Sequence, residues 1–277
     1  MAEIKIAGVM RAGVYSPNHI GNDAAIFNLV ADNLRKRGCE VNIYSEEQLI
    51  AGAVREHVIV NMCREQRSIR ELQRREDAGD LVINSAYGIE NCVRDRMCRI
   101  LLGNSLPYPQ SLVVNTNEGV RDRLAAAGIS RCWIKRADQH TRHKEDVSYV
   151  RHAEEAQEVL QEYFLRGIER AVINRHLDGD IVKFYGVLGS EFFHCFAPHS
   201  EGGGSPEFDC DALRAVCEQA ADALGVMIYG GDCIVGADGS LSVIDFDDWP
   251  SFAPCRNEAA PYIAREILQL IKKRLKK

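Results

Sequence analysis

The chain has 277 residues, of which 46% are hydrophobic and 27% charged, and its 34 basic and 40 acidic residues give a net charge of −6. A chain of this composition can bury a large core, and about 150 residues per domain suggests two domains. The acidic balance argues against a nucleic-acid-binding protein but leaves room for small anionic ligands held by a local cluster of cations. We find no secretory signal at the N-terminus and no apolar run of about 18 residues that predicts a membrane span.

The first hundred residues alternate strand and helix patterns. Apolar runs predict strands at 4–9, 41–44, 57–62 and 80–83. Apolar residues at helical spacing predict helices at 23–37 and 64–79. This alternation implies parallel strands joined by crossover helices, with functional loops at the carboxyl ends of the strands. We therefore expect functional loops at 10–23 and 84–90.

Pro107-Tyr108-Pro109 marks a boundary, after which helices and strands are mixed. Strands are predicted at 111–115, 132–135, 171–174, 181–188 and 192–196. Helices are predicted at 118–127, 152–165, 209–224 and 258–275. Asp209 and Gly225 suit the two ends of helix 209–224. Segments 226–235 and 241–246 predict a hairpin around a Gly- and Asp-containing turn.

This hairpin carries the most informative polar residues, Asp232 on its first strand and Asp245 and Asp247 on its second. Side chains alternate along a strand, so Asp245 and Asp247 point the same way, and a hairpin can bring Asp232 opposite them. Three carboxylates on one face need a cation, and oxygen ligands suit Mg²⁺. A solvated acidic face is the alternative, but the apolar run Val243-Ile244-Asp245-Phe246 favours a metal site.

Two lysines lie in predicted strands upstream of the hairpin. Lys135 follows Cys132-Trp133-Ile134, and Lys183 lies within Ile181-Val182-Lys183-Phe184-Tyr185. Alone, each lysine would more simply reach solvent than meet an anion. Together with the downstream carboxylates they predict a nucleotide–Mg²⁺ site.

The order of these motifs resembles the ATP-grasp superfamily, which includes D-alanine–D-alanine ligase, glutathione synthetase and an inositol phosphate kinase branch. The resemblance covers nearly the whole chain, most convincingly 107–254. It implies an α/β fold that is α+β in its C-terminal part. An N-terminal pre-ATP-grasp domain of parallel strands would be followed along the chain by an ATP-grasp unit. The implied divisions are a substrate-binding domain at 1–106, a lid subdomain at 107–176 and a C-terminal lobe with the metal site at 177–277.

The same resemblance implies the nucleotide contacts. Lys135 and Lys183 would hold the ATP phosphates. The hinge strand would meet the adenine through Asn174, His176 and Leu177, although Asn174-Arg175 stands where the family usually has Gln-Glu or Glu.

The metal ligands implied are Asp232, Asp245 and Asp247, with Asp247 in place of the usual Asn. Arg94 or Arg96 lies where the family often has a phosphate-binding lysine, and a guanidinium could serve there; a charged helix face is the alternative. The loop at 137–146 replaces a glycine-rich lid with a His- and Arg-rich segment that includes His140, Arg142 and His143. It could cover the phosphates or be a plain solvated loop.

The second substrate is expected between the N-terminal domain and the hairpin. The candidate contact residues are Arg11, His19, Asn22, Asp23, Asp248, Trp249 and Ser251. Arg11 suggests a substrate carboxylate or phosphate. For His19 a structural role is the alternative.

The ten cysteines are scattered, with no C-x-x-C pair. We interpret them as small buried hydrophobic residues of a cytoplasmic protein, with a catalytic thiol as the alternative.

The sequence thus predicts an ATP- and Mg²⁺-dependent ligase that activates a small-molecule carboxylate as an acyl phosphate for attack by an amine. The alternatives are an ATP-dependent kinase with a hydroxyl acceptor and a nucleotide-binding module without catalysis. We expect a small-molecule substrate, no nucleic acid and no membrane as partners. A homodimer is suggested by analogy with the resembled family.

Overall fold

Alternating apolar strands and amphipathic helices build the first sheet in this computed structural model, which describes residues 4–16, 20–137, 144–198 and 208–275. The strands are β1 (Ile4–Met10), β2 (Cys39–Ser45), β3 (Val58–Asn61) and β4 (Leu81–Ile83). They pair in parallel in the order β2-β1-β3-β4, which confirms the predicted arrangement. The connecting helices are α1 (Ile20–Lys36), α2 (Glu46–Ile50) and α3 (Gln66–Asp77).

The two segments expected to be functional loops are partly helical. Helix α1 begins at Ile20, and α4 (Ala86–Asn91) occupies most of 84–90, followed by α5 (Arg94–Gly103). Gly88 makes α4 a poor helix by propensity. A Cβ at Gly88 would collide with the carbonyl oxygen of Gly225, so close packing explains why a glycine lies within this helix.

The second sheet is antiparallel, with strands β5 (Ser111–Asn115), β6 (Cys132–Arg136), β7 (Val147–Val150) and β8 (Arg170–Arg175) in the order β5-β8-β6-β7. Helices α6 (Arg121–Ala126) and α7 (Ala153–Leu165) cover one face of this sheet. Ile134 and Ile173 on that face belong to the same hydrophobic core as the two helices. Because side chains alternate, Trp133, Lys135 and Asn174 lie on the opposite face.

The third sheet is also antiparallel, with β9 (Asp180–Val187), β10 (Phe193–Phe196), β11 (Ile228–Val235) and β12 (Leu241–Asp248) in the order β10-β9-β11-β12. The predicted hairpin is confirmed as β11–β12. Helix α8 (Cys210–Leu224) is capped by Asp209, whose side chain accepts from two backbone N–H groups, and ends at Gly225 with φ 77°, as predicted.

The last helix, α9 (Arg256–Arg274), packs against α1 of the first sheet rather than against the hairpin that precedes it. Its apolar stripe, including Ile263 and Ile267, belongs to the same core as Ile26 and Val30. None of the helices that the structure describes is long and apolar enough to cross a membrane.

One cysteine prediction needs correction, because Cys195 and Cys210 form a disulfide. The edge strand β10 and the start of α8 bring these two residues together although 15 positions separate them. The other eight cysteines are free and buried, in agreement with the prediction.

Candidate active site

A cavity of about 340 Å³ lies between the second and third sheets. Its charged wall contains Arg94, Lys135, Asp232 and Asp245, which come from α5, β6, β11 and β12. The hinge residues Asn174, His176 and Leu177 line it too. Apolar surface is supplied by Trp133, Val147, Ile181, Ile234 and Ile244. The cavity therefore joins an apolar slot to a group of cations and carboxylates.

The strand register determines the neighbours of Asp232. Lys183 on β9 and Asp245 on β12 flank it directly. Lys183 Nζ donates to Asp232 Oδ1 at 2.7 Å. Burial raises the pKa of Asp232, Lys183 counters this, and the nearby charges of Asp245 and Asp247 raise it further. A second cation beside Asp232 would relieve this repulsion.

Arg94, and not Arg96, reaches this group. Arg94 is buried at the start of α5, and its Nη2 lies 3.3 Å from Asp245 Oδ2. Arg96 is exposed and pairs with Glu90 at 2.9 Å. Of the two candidates, the structure therefore favours Arg94 as the phosphate-binding residue, because residues two apart on a helix face different directions.

Lys135 is buried in the cavity wall, with 8% of its surface exposed. Its Nζ donates to the carbonyl oxygen of Ile244 at 2.9 Å. Burial lowers its pKa, an effect that Asp245 partly offsets. An anion in the cavity would stabilise the charged amine.

The three predicted metal ligands do not converge. Within the described part of the chain, no group of three or more His, Cys, Asp or Glu residues is placed to hold a metal ion. Asp232 and Asp245 each face a cation instead, and the charge of Asp247 also acts on Arg11 and Arg64. The assignment of all three aspartates as Mg²⁺ ligands stays a prediction, because carboxylates without a metal are better stabilised by separate cations.

A carboxylate pair nevertheless suits Mg²⁺, which usually takes one or two protein carboxylates and completes its shell with water and phosphate oxygens. Asp232 and Asp245 are directly opposed across β11 and β12. Their oxygen chemistry and their position beside the cavity fit such an ion.

The hinge strand offers few free backbone donors. The N–H groups of Arg175 and His176 bond to the carbonyl oxygens of Gln110 and Arg131 at 2.8 and 2.9 Å. No residue in the described ranges accepts from the N–H of Leu177. Leu177 therefore keeps a donor for a ligand.

Sequence reasoning missed an aromatic group beside the hinge, formed by Trp133, Tyr149 and His176. Trp133 Nε1 lies 3.1 Å from His176 Nδ1, and the Tyr149 ring centroid is 5.0 Å from those of both other rings. Asp178 in turn lies 3.2 Å from His176 Nε2. The Trp133-x-Lys135 spacing was the available signal, because it places both side chains on one strand face.

The predicted substrate residue Arg11 is committed to protein contacts. Its side chain is 8% exposed and pairs with Asp23 at 2.9 Å. It also donates to the carbonyl oxygens of Met62 and Trp249, each at 3.2 Å. Each of its three nitrogens thus has a partner, and Arg11 and Asp23 form a buried ion pair beside a small cavity, so their role as substrate contacts stays a prediction.

The side chains of Asp248 and Trp249, two further predicted substrate residues, are also engaged in contacts within the protein. Arg64 Nη1 pairs with the Asp248 carboxylate, and Arg64 Nη2 donates to the Asp248 carbonyl oxygen at 3.1 Å. Trp249 is fully buried and its ring lies 5.7 Å from that of Phe27. Charge pairing and core packing explain why neither side chain is open to a substrate.

The remaining predicted substrate residues lie around this network. Asn22 Oδ1 accepts from Arg256 Nη2 at 2.6 Å, which ties α1 to α9. Ser251 is half-buried in the loop after β12. His19 lies outside the described residues, as do His140, Arg142 and His143 of the proposed lid.

No family model matches the sequence. No curated protein matches it either. Solved structures do match, over nearly the whole chain. D-alanine–D-alanine ligase from Bacillus anthracis, complexed with ATP, superposes with a TM-score of 0.72 at 15% identity, covering 98% of this chain and 96% of that one.

Two other ligases are similar. For D-cycloserine synthetase DcsG the TM-score is 0.67 at 17% identity, with 95% of this chain and 99% of that one covered. For the ATP-grasp ligase PsnB, complexed with a precursor peptide and AMPPNP, it is 0.64 at 16% identity, with 97% of both chains covered. The expected fold is confirmed: this chain has the fold of the ATP-grasp ligases.

Proposed function

We propose that the protein is an ATP-dependent ligase that activates a small-molecule carboxylate as an acyl phosphate for attack by an amine. The observation that carries this proposal is the cavity that joins an apolar slot beside the hinge to Arg94, Lys135, Asp232 and Asp245. A flat base suits the apolar part, and a polyphosphate suits the cations. The shared fold with ATP-grasp ligases supports the reaction class.

Three cations would hold the phosphates. Arg94 and Lys135 approach from α5 and β6, and Lys183 lies across Asp232 from β9. Positive charges fixed by secondary structure place the γ-phosphoryl group in line with its acceptor and stabilise the charge that develops. Lys183 would then share its charge between Asp232 and the nucleotide.

Mg²⁺ would neutralise charge on the transferring phosphoryl group. Asp232 and Asp245 are the proposed ligands, and Asp247, two residues further along β12, remains the third candidate.

The reaction needs no covalent protein nucleophile. A substrate carboxylate oxygen attacks the γ-phosphorus and ADP leaves; the amine then attacks the acyl carbon and phosphate leaves. The residues around the cavity supply position and electrostatic stabilisation.

The test is incubation with ATP, Mg²⁺ and pools of carboxylic acids and amines, followed by assay of ADP, free phosphate and product mass. A ligase gives ADP, free phosphate and a condensed product. A product heavier by one phosphoryl group would indicate a kinase. ATP binding with no turnover across the pools would contradict catalysis.

We further propose a division of the chain into 1–106, 107–176 and 177–277. It is supported by the three sheets, whose strands span 4–83, 111–175 and 180–248. Limited proteolysis should cut first near the two boundaries, and cuts within the sheets would contradict the division.

A cytoplasmic location and a homodimer are also proposed. The eight buried free thiols support a reducing compartment, with the Cys195–Cys210 disulfide as the exception. The dimer is supported only by analogy with the resembled family. Sedimentation velocity would contradict it by showing a monomer at micromolar concentration.

A further inference from the structure

The two ends of β10 are held in different ways. The turn before the strand is fixed by noncovalent contacts, because Arg214 on α8 donates to the Ser190 carbonyl oxygen at 2.7 Å and Phe192 is buried in the core. The far end is tied to the first residue of α8 by the Cys195–Cys210 disulfide. Since β10 is the edge strand of its sheet and pairs there with β9, this disulfide is a covalent anchor for the end of the strand.

The end that the disulfide anchors lies beside a proposed phosphate contact. Phe196 follows Cys195 and is directly opposite Lys183 in the β9–β10 register, so the side chains of Phe196 and Lys183 lie on the same face of the sheet. The Phe196 ring is also stacked on that of Tyr185, with the ring centroids 6.3 Å apart and the planes at 10°. Lys183 in turn donates to Asp232 at 2.7 Å. A change in the position of Phe196 therefore alters the surroundings of Lys183.

The disulfide is open to attack by a small thiol. Cys210 is exposed and Cys195 is half-buried, whereas the other eight cysteines are free and buried. A disulfide in a protein whose remaining thiols are reduced is typical of redox sensing. Exposed disulfides are also the ones that small thiols reduce most readily.

We propose that the Cys195–Cys210 disulfide is a reversible redox switch that controls nucleotide affinity through the end of β10. The thiolate of a small thiol attacks the Cys210 sulfur, so that a mixed disulfide forms and Cys195 leaves as a thiolate, which takes up a proton. A second thiolate attacks the small-thiol sulfur of the mixed disulfide, and Cys210 leaves and is protonated in the same way. The protein gains two thiols, and two molecules of the small thiol are oxidised to one disulfide.

Reduction should free the end of β10 while its beginning stays fixed, because the contacts of Arg214 and Phe192 do not involve the disulfide. Phe196 then separates transiently from Tyr185, and water reaches Lys183. Water screens the attraction between the Lys183 ammonium group and a phosphate, so nucleotide affinity falls. This effect rests on the proposed function, because it needs the phosphates of ATP at Lys183.

The test measures the dissociation constant of Mg·ATP by calorimetry on the full chain, first oxidised and then reduced with glutathione. We expect the reduced wild type to bind about five- to twentyfold more weakly, and glutathione disulfide should restore the affinity. Cys195→Ser and Cys210→Ser should bind like the reduced form under both conditions. Cys39→Ala, which removes a buried free thiol of the first sheet, is the matched control and should respond as wild type does.

Two further measurements separate the switch from a disulfide that only stabilises the fold. Hydrogen exchange should rise on reduction at 194–196 and stay unchanged on β11. By thermodynamic linkage, saturating Mg·ATP must make the disulfide harder to reduce by the same factor by which reduction weakens ATP binding. The reduced fraction, counted by alkylation and mass spectrometry over a series of glutathione ratios, measures this factor.

Equal ATP affinities of the oxidised and the reduced protein, both folded, overturn the inference and leave the proposed function standing. A disulfide that glutathione does not reduce overturns it too, whatever the affinity for ATP. Wild type that binds no ATP in either form overturns both proposals.

Discussion

Asp232 and Asp245 lie directly opposite each other on β11 and β12, and each carboxylate is held by a different cation. Lys183 lies 2.7 Å from Asp232 and Arg94 lies 3.3 Å from Asp245. These cations arrive from β9 and α5, so the pairing depends on parts of the chain that are far apart in sequence. The arrangement keeps two carboxylates and two cations together beside one cavity, and the proposed polyphosphate and its metal ion would compete for these pairings.

The first prediction concerns Asp245→Asn. The amide keeps the shape of the side chain but removes the charge, so turnover measured by ADP release should fall at least about a hundredfold. The melting temperature should change little, because the carboxylate is 29% exposed and the amide oxygen of the variant can still accept from Arg94. Asp238→Asn, in the exposed turn of the same hairpin, is the control and should be fully active. Normal turnover in Asp245→Asn would remove this residue from the reaction.

The second prediction follows from the pKa of Lys135, which burial lowers from the ordinary 10.5. A bound polyphosphate favours the charged amine, so ATP should raise this pKa and its binding should take up protons at pH values above the lowered pKa. ATP affinity should therefore fall as the pH rises through that window. The stability of the free protein should change in the opposite sense and rise with pH there, because the unfolded chain binds more protons.

Calorimetry in two buffers of different ionisation enthalpy measures this uptake. Lys135→Arg stays charged throughout the range and should abolish it while retaining ATP binding. Equal proton uptake in wild type and Lys135→Arg would show that the effect arises elsewhere.

The sequence predicts those elements whose ends are set by interactions within a few residues. The cap of α8 at Asp209 and its end at Gly225 follow from side-chain and backbone preferences within a few residues. The hairpin that presents Asp232 and Asp245 was visible because strand alternation and turn composition agree.

The sequence could not predict side-chain contacts between residues that are far apart in the chain. The sequence alone leaves Arg11 available for a substrate, whereas in the structure Met62, Asp23 and Trp249 contact its three nitrogens. Arg94 and Arg96 could be told apart only once the start of α5 was known.

The third prediction uses the only two tryptophans in the chain. Trp133 lines the cavity and is 37% exposed, whereas Trp249 is fully buried. ATP should therefore change the fluorescence of Trp133 alone. The change should vanish in Trp133→Phe, which retains an aromatic wall and should bind ATP within about threefold of wild type. A persistent change in that variant would place the nucleotide elsewhere or imply a movement around Trp249.

The fourth prediction tests the buried network behind the cavity. Arg64→Ala removes the guanidinium that pairs with the Asp248 carboxylate, which is 1% exposed. Removing one partner of a buried ion pair should lower the free energy of unfolding by about 3–5 kcal/mol, measured by urea denaturation. Arg96→Ala, which breaks an exposed pair with Glu90, should cost no more than about 1 kcal/mol. Similar losses in the two variants would contradict the structural role assigned to Arg64.

The fifth prediction concerns the Cys195–Cys210 disulfide, whose partners are 15 positions apart. Closing a loop of that length should stabilise the fold by about 3 kcal/mol, because it restricts the unfolded chain. Dithiothreitol should lower the melting temperature of wild type but leave Cys195→Ser unaffected, since that variant already lacks the bridge. After mild reduction, a thiol reagent should react first with Cys195 and Cys210, because Cys210 is exposed while the eight free cysteines are buried. Rapid labelling of native, unreduced protein at Cys210 would show that the two thiols are not joined.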